Sequence, residues 1–172
     1  ILGQDPYHDG SAIGLAFGND KKTLVSPSLK NIITEVEDNF DTKRWPDSLG
    51  IVMDASLKSW AKQGVLLLTT ALTVEQKSPA SHLKLWQDFT QKIITRISET
   101  NTGIIWMLWG RKAQKYKEFI FNTDTQWILE SPHPSPFSVH KGFLGNKHFA
   151  KANGILYMMG GEESEIDWWG IH

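Results

Sequence analysis

The chain has 172 residues, 40% of them hydrophobic and 22% charged, with no cysteine and a formal net charge of −1. That length suits one domain with a sizeable core, and the lack of cysteine excludes a disulfide framework and any Cys-ligated metal, which is compatible with a reducing, intracellular compartment. The near-zero charge excludes a uniformly basic nucleic-acid surface, so any such partner has to be met by local positive charge.

No apolar run in these 172 residues reaches membrane-spanning length, and no secretory signal is expected. Eight tryptophans suit a large core and also base stacking. In chain order, Ile1–Gly3 reads as the end of a strand. Leu29, Ile32, Ile33, Val36 and Phe40 recur at helical spacing behind Ser26-Pro27-Ser28, which suits a helix start. Leu57, Trp60 and Ala61 predict a short helix that Gly64 ends. Val65–Thr69 reads as a second strand. Leu85, Trp86, Phe89, Ile93, Ile94 and Ile97 make the strongest amphipathic pattern. Ile104–Trp109 is a third strand, and Ala113, Tyr116, Phe119 and Ile120 a further helix. Trp127–Glu130 is a fourth strand, and Phe149, Ala152, Ile155 and Leu156 mark a last helix. Gly160–Glu165 reads as an exposed acidic loop before the tail.

This alternation predicts an α/β fold, a three-layer sandwich around a short, mostly parallel four-stranded sheet. A polar or glycine-bearing segment follows each strand: Gln4–His8, Thr69–Ser81, Gly110-Arg111 and Ser131–Ser138. Ligands of open α/β sheets bind outside the carboxyl ends of the strands, so these loops are the expected site. Asp5, pinned by Pro6, suits a carboxylate that stabilises developing positive charge or activates water. The same residue type in a loop also caps backbone amides. His133 lies between Pro132 and Pro134, with Pro136 beyond, in a loop stiff enough to hold an imidazole still.

Several segments match one family in order and spacing: Gly3-Gln4-Asp5-Pro6-Tyr7-His8, Gly14-Leu15-Ala16-Phe17, Leu66-Leu67-Leu68 with Leu72-Thr73-Val74, Ser81-His82, His133-Pro134-Ser135-Pro136 on to Asn153, and Ile166-Asp167-Trp168. Together they resemble the family 1 uracil-DNA glycosylases over essentially the whole chain. The resemblance implies an enzyme that flips uracil out of DNA and hydrolyses its N-glycosidic bond, leaving an abasic site for base-excision repair. It implies Asp5 as the residue that orients water and faces an oxocarbenium-like sugar, and His133 as hydrogen-bond donor to uracil O2. Tyr7 would wall off the C5 position, Phe17 would stack on the flipped base, and Gln4 would contribute backbone contact. Phe137 would be the apolar wedge, where the family usually has leucine. Backbone grip would come from His8, Ser26, Pro27, Ser28, Gly110, Arg111, Ser135 and Ser138, with Arg111 replacing the family's usual serine. Lys141, Lys147, His148 and Lys151 would add a local basic cluster. No metal or other cofactor is implied.

The same resemblance implies a monomer acting on single- and double-stranded uracil-containing DNA, in cytoplasm or nucleoid, or in a nucleus. It also implies capture by small acidic inhibitor proteins that mimic DNA. A single domain over residues 1–172 is expected, lacking the N-terminal segment that family members carry before this motif. One departure bears on specificity. The family reads uracil with an asparagine whose amide complements N3–H and O4, and this chain has Thr69 there. One hydroxyl replaces two complementary groups, so the expectations include a glycosylase of altered base preference, and a DNA-binding or processivity subunit without catalysis.

Overall fold

The computed structural model describes residues 1–20, 25–40 and 54–170. Four parallel strands form one sheet, β1 (Leu2–Gly3), β2 (Leu68–Thr69), β3 (Ile105–Trp109) and β4 (Trp127–Ser131), in the order β2-β1-β3-β4. Leu2 lies beside both Leu68 and Leu108, so the first strand is central. The sheet is wholly parallel, and every strand therefore delivers its C-terminal loop to the same edge.

Side chains alternate across a strand, and β3 divides the core accordingly. Met107 and Trp109 join Leu29, Ile32 and Val36 of α1 (Pro27–Asn39), Trp60 of α2 (Lys58–Lys62), and Phe149 and Ala152 of α5 (His148–Gly160) on one face. Trp106 and Leu108 meet Ile94 of α3 (Leu83–Thr100) and Ala113 of α4 (Arg111–Gln114) on the other. The three layers follow from that alternation. The tail closes the first layer. Buried Trp168 packs edge-on to Trp60 at 5.0 Å between centroids and donates its indole N–H to Asn153 Oδ1 at 2.9 Å.

Three elements differ from the sequence reading. The expected strand Val65–Thr69 pairs only at Leu68–Thr69, opposite the two residues of β1, and Leu66 is exposed. The helix expected over Ala113–Ile120 is α-helical for one turn and then winds as a 3₁₀ helix over Lys115–Phe119. Ala113, Tyr116 and Phe119 are three apart, the repeat of that tighter helix. In α3 the fully buried line is Thr90, Ile94 and Ser98, while Leu85 and Phe89 are 71% and 47% exposed. A helix of 18 residues spans about 27 Å, more than strands of two to five residues can cover, and its first turns are largely exposed. Among the described residues no helix is long and apolar enough to cross a membrane.

Candidate active site

The four strand-end loops meet around an open cleft of about 1400 Å³ bordered by Gln4–His8, Phe17, Thr69, Gly110-Arg111, His133, Ser135, Phe137 and Ser138. The loop after β1 is held to the loop after β2. The Gln4 carbonyl accepts the Ala71 N–H at 3.1 Å and the Thr70 hydroxyl at 2.6 Å. Asp5 Oδ2 accepts the Ala80 N–H at 2.5 Å, and Oδ1 accepts the Gln4 side-chain amide at 3.0 Å. Ala80 is itself set by its loop, where Ser81 Oγ accepts the Glu75 N–H at 2.8 Å and Thr73 Oγ1 accepts the Trp86 indole N–H at 2.7 Å. The carboxylate is thus oriented by two donors and stays half-exposed to the cleft.

His133 follows β4. Its Nδ1 accepts the Ser135 N–H at 3.0 Å, so the proton of the neutral ring resides on Nε2. Burial holds the imidazole below its ordinary pKa, and the Asp5 carboxylate partly opposes this. Both groups border the same cleft. The loop backbone is fixed by Ser138 Oγ donating to the His133 carbonyl at 2.8 Å and by the Asn31 amide donating to the Pro134 carbonyl at 2.7 Å. Gly110 has φ +92° and stands so close that a Cβ there would lie 2.9 Å from His133 Cβ. Glycine is required on both counts.

Phe17, Tyr7 and Thr69 line the inner wall. The Phe17 ring lies 5.4 Å from Trp109 and 5.6 Å from His133, and a Cβ on Gly3 would come within 2.9 Å of it. Tyr7 donates its hydroxyl to the Phe17 carbonyl at 3.0 Å, and burial pushes its pKa to about 12. The Thr69 hydroxyl donates to the Ala71 carbonyl at 2.7 Å. Its single proton is used within the protein, so only acceptor lone pairs face the cleft. A paired carboxylate and a neutral imidazole donor, beside stacked rings, suit cleavage of a bond to an aromatic leaving group that departs as an anion.

The family profile of the uracil DNA glycosylase superfamily matches residues 1–156. The chain belongs to the uracil-DNA glycosylase superfamily. It is 46% identical to the uracil-DNA glycosylase of Yersinia pestis strain Pestoides F over 170 residues, 98% of this chain and 71% of that protein. Identity to the Fusobacterium nucleatum enzyme is 44%, over the same shares. Among solved structures, a mimivirus UNG variant in complex with UGI aligns with TM-score 0.84 at 26% identity, covering 98% of this chain and 67% of that one. UNG from Nitratifractor salsuginis shares the fold at TM-score 0.57 and 20% identity, covering 88% of this chain and 70% of that one.

Most of the glycosylase residues expected from sequence border the cleft: Gln4, Asp5, Tyr7, His8, Phe17, Ser28, Thr69, Gly110, Arg111, His133, Ser135, Phe137 and Ser138. Phe137 is 88% exposed at the rim. Ser26 and Pro27 stand outside the residues that border the cleft. Ser26 caps α1 by accepting the Leu29 N–H at 3.2 Å, and Pro27 opens the helix. The expected basic cluster is broken up. His148 is buried, accepts the Trp109 indole N–H on Nδ1 at 3.1 Å and is bonded to the Glu130 backbone. The Lys147 and Lys151 ammonium groups donate to the Asp38 and Asn146 carbonyls at 2.7 and 2.9 Å. Lys141 alone of the four borders the cleft, and Lys112, absent from the sequence reading, borders it too. Ala80 and Asn31 were also missed. A backbone N–H carries no side-chain signature, and an asparagine on a helix reads as ordinary surface.

Proposed function

We propose that this chain excises uracil from DNA by hydrolysing the N-glycosidic bond, and that it acts as a single-domain monomer. The observation that carries the reading is that Asp5 and His133, whose Nδ1 is occupied by the Ser135 N–H, border one cleft. The target nucleotide is flipped out of the stack, at a cost of a few kcal/mol, and its base lies against Phe17. The C1′–N1 bond breaks with its electron pair on the base. The Asp5 carboxylate stabilises the cationic sugar, and His133 Nε2–H donates to uracil O2 as negative charge accumulates there. Water adds its hydroxyl to C1′ and releases its proton to Asp5 or solvent. Phe137, exposed beside the cleft, fills the space left in the stack. His8, Ser28, Arg111, Lys112 and Lys141 grip the phosphates. Ser138 donates its proton to the His133 carbonyl, so the 3.0 Å bond between the two hydroxyls is made by Ser135, and a phosphate would have to take over the Ser135 proton.

The test is incubation with single-stranded and duplex oligonucleotides bearing one uracil, scored for abasic sites, beside Asp5→Asn. Wild-type product with a loss of roughly 10²–10³-fold in the variant is expected. No wild-type product at high enzyme concentration would sink the reading.

A second reading, altered base preference, is favoured by the Thr69 bond to the Ala71 carbonyl. An acceptor-only hydroxyl serves uracil N3–H and equally the amino group of cytosine. Cytosine, thymine, 5-substituted uracils and hypoxanthine in the same assay decide between the two. A relative was solved with UGI, and we extend that partner to this chain through Phe137. Equal inhibition of wild type and Phe137→Leu would count against capture through that side chain.

A further inference from the structure

We propose that Ser26 is a positioning residue of the base pocket, acting through Tyr7 and Phe17 rather than gripping the DNA backbone. The inference rests on the uracil-excision reading for its kinetic consequences and on three hydrogen bonds for its geometry. Ser26 is 9% exposed and stands outside the residues that border the cleft. Its Oγ accepts the Leu29 N–H at 3.2 Å and lies 2.5 Å from the Tyr7 hydroxyl. The Tyr7 hydroxyl in turn donates to the Phe17 carbonyl at 3.0 Å.

Counting protons sets the direction of the chain. A tyrosine hydroxyl carries one proton, and here it is directed at the Phe17 carbonyl. The short contact to Ser26 must then be made by the serine proton. Leu29 thus donates to Ser26, Ser26 to Tyr7 and Tyr7 to Phe17. One polar line runs from the first turn of α1 to the two rings that wall the cleft. It also ends on a conformationally demanding residue. Phe17 has φ +65°, a region that bulky residues rarely adopt. Its ring fills the space above Gly3 and reaches His133. Turning Tyr7 would therefore shift the wall that meets C5 of the base, and would release the backbone that aims the stacking ring.

Four variants separate this role from simple helix capping. Ser26→Thr keeps both hydrogen bonds. Ser26→Ala loses both. Ser26→Asp keeps the cap for the Leu29 N–H but cannot donate, so it draws the Tyr7 proton away from the Phe17 carbonyl. Tyr7→Phe removes the middle of the chain and leaves the cap intact. The measurements are kcat and KM on uracil oligonucleotides, and the kcat/KM ratio of uracil to thymine. Ser26→Ala, Ser26→Asp and Tyr7→Phe should each lower kcat about tenfold, the equivalent of one hydrogen bond, with a smaller change in KM and a lower uracil-to-thymine ratio. Ser26→Thr should restore wild-type values, and Ser26→Ala combined with Tyr7→Phe should be no worse than the poorer single variant. Wild-type kcat and discrimination in Ser26→Asp, or multiplicative losses in the double variant, would overturn the proposal. Aromatic NMR shifts of Tyr7 and Phe17 supply a readout independent of activity. They should move in Ser26→Asp and not in Ser26→Thr. Unchanged shifts overturn the positioning role even if wild type is active, whereas moved shifts in an inactive wild type would uphold it and defeat only the uracil reading.

Discussion

His133 can donate to a substrate with one ring nitrogen, because Nδ1 already accepts the Ser135 N–H. Protonating Nδ1 would break that bond in a loop that has few other conformations. Burial lowers the His133 pKa from 6.5, so the neutral donor persists below that pH. The acid limb of kcat against pH should accordingly have its midpoint under 6.5. A midpoint above 6.5 would mean that the carboxylate of Asp5 outweighs burial. Thr69 presents the complementary case, a side chain whose donor is turned inward. Thr69→Asn should raise the uracil-to-cytosine ratio of kcat/KM by roughly tenfold or more, since it adds one buried complementary bond of about 1–3 kcal/mol. An unchanged ratio in the oligonucleotide assay would show that position 69 does not read the base.

At the scale of elements, α1 does more than fill a layer. Asn31, Glu35 and Asn39 are four apart and share one helix face. Asn31 holds the Pro134 carbonyl at 2.7 Å, and the fully buried Glu35 carboxylate accepts the Gly145 N–H at 2.5 Å and the Lys147 N–H at 2.8 Å. Asn39 accepts the Ala150 N–H at 3.1 Å and donates to Glu35 at 2.7 Å. The helix therefore grips both ends of the segment that carries His133 and Phe137. Glu35→Leu would remove the acceptor of the Gly145 and Lys147 N–H groups, both part-buried bonds, a cost of about 1–3 kcal/mol. Urea unfolding should register that loss as a lower midpoint. Asn31→Ala removes one bond, worth about 1 kcal/mol, and should reduce excision more than it reduces stability. Equal stability of Glu35→Leu and wild type would refute the clamp.

At the scale of the whole molecule, buried His148 joins the layers, linking Trp109 of β3 and the Glu130 backbone of β4 to the start of α5. Burial first, and Lys151 next, bring its pKa down to about 4 from 6.5. The unfolded chain thus binds a proton that the folded chain refuses between those values. Stability from this group is complete above pH 6.5 and is lost as pH falls toward 4, a difference on the order of 3 kcal/mol. His133, lowered in the same direction, adds to the slope. The urea midpoint of the wild type should fall across that window, and His148→Gln should show a visibly shallower dependence. Identical slopes would show that His148 is not the group responsible.

The parallel sheet, the helices and the cluster of loops at the strand ends were legible in the chain alone, because hydrophobic period and turn chemistry are local properties. That Asp5, Tyr7, Phe17, Thr69 and His133 would meet at one cleft was legible too, since each stands in a short motif at or after a strand end or a turn. Tertiary structure decided which polar groups remain available. Asp5 meets the Ala80 N–H across 75 positions of sequence, and no pattern of side chains announces a main-chain donor. Ser26 faces Tyr7 and His148 faces Trp109, so a serine expected at phosphate and a histidine expected in a basic patch turned out to be internal. Leu85 and Phe89 share the apolar pattern of α3 yet stay in solvent, because the length of the sheet, and not the helix, sets how much of that pattern is covered.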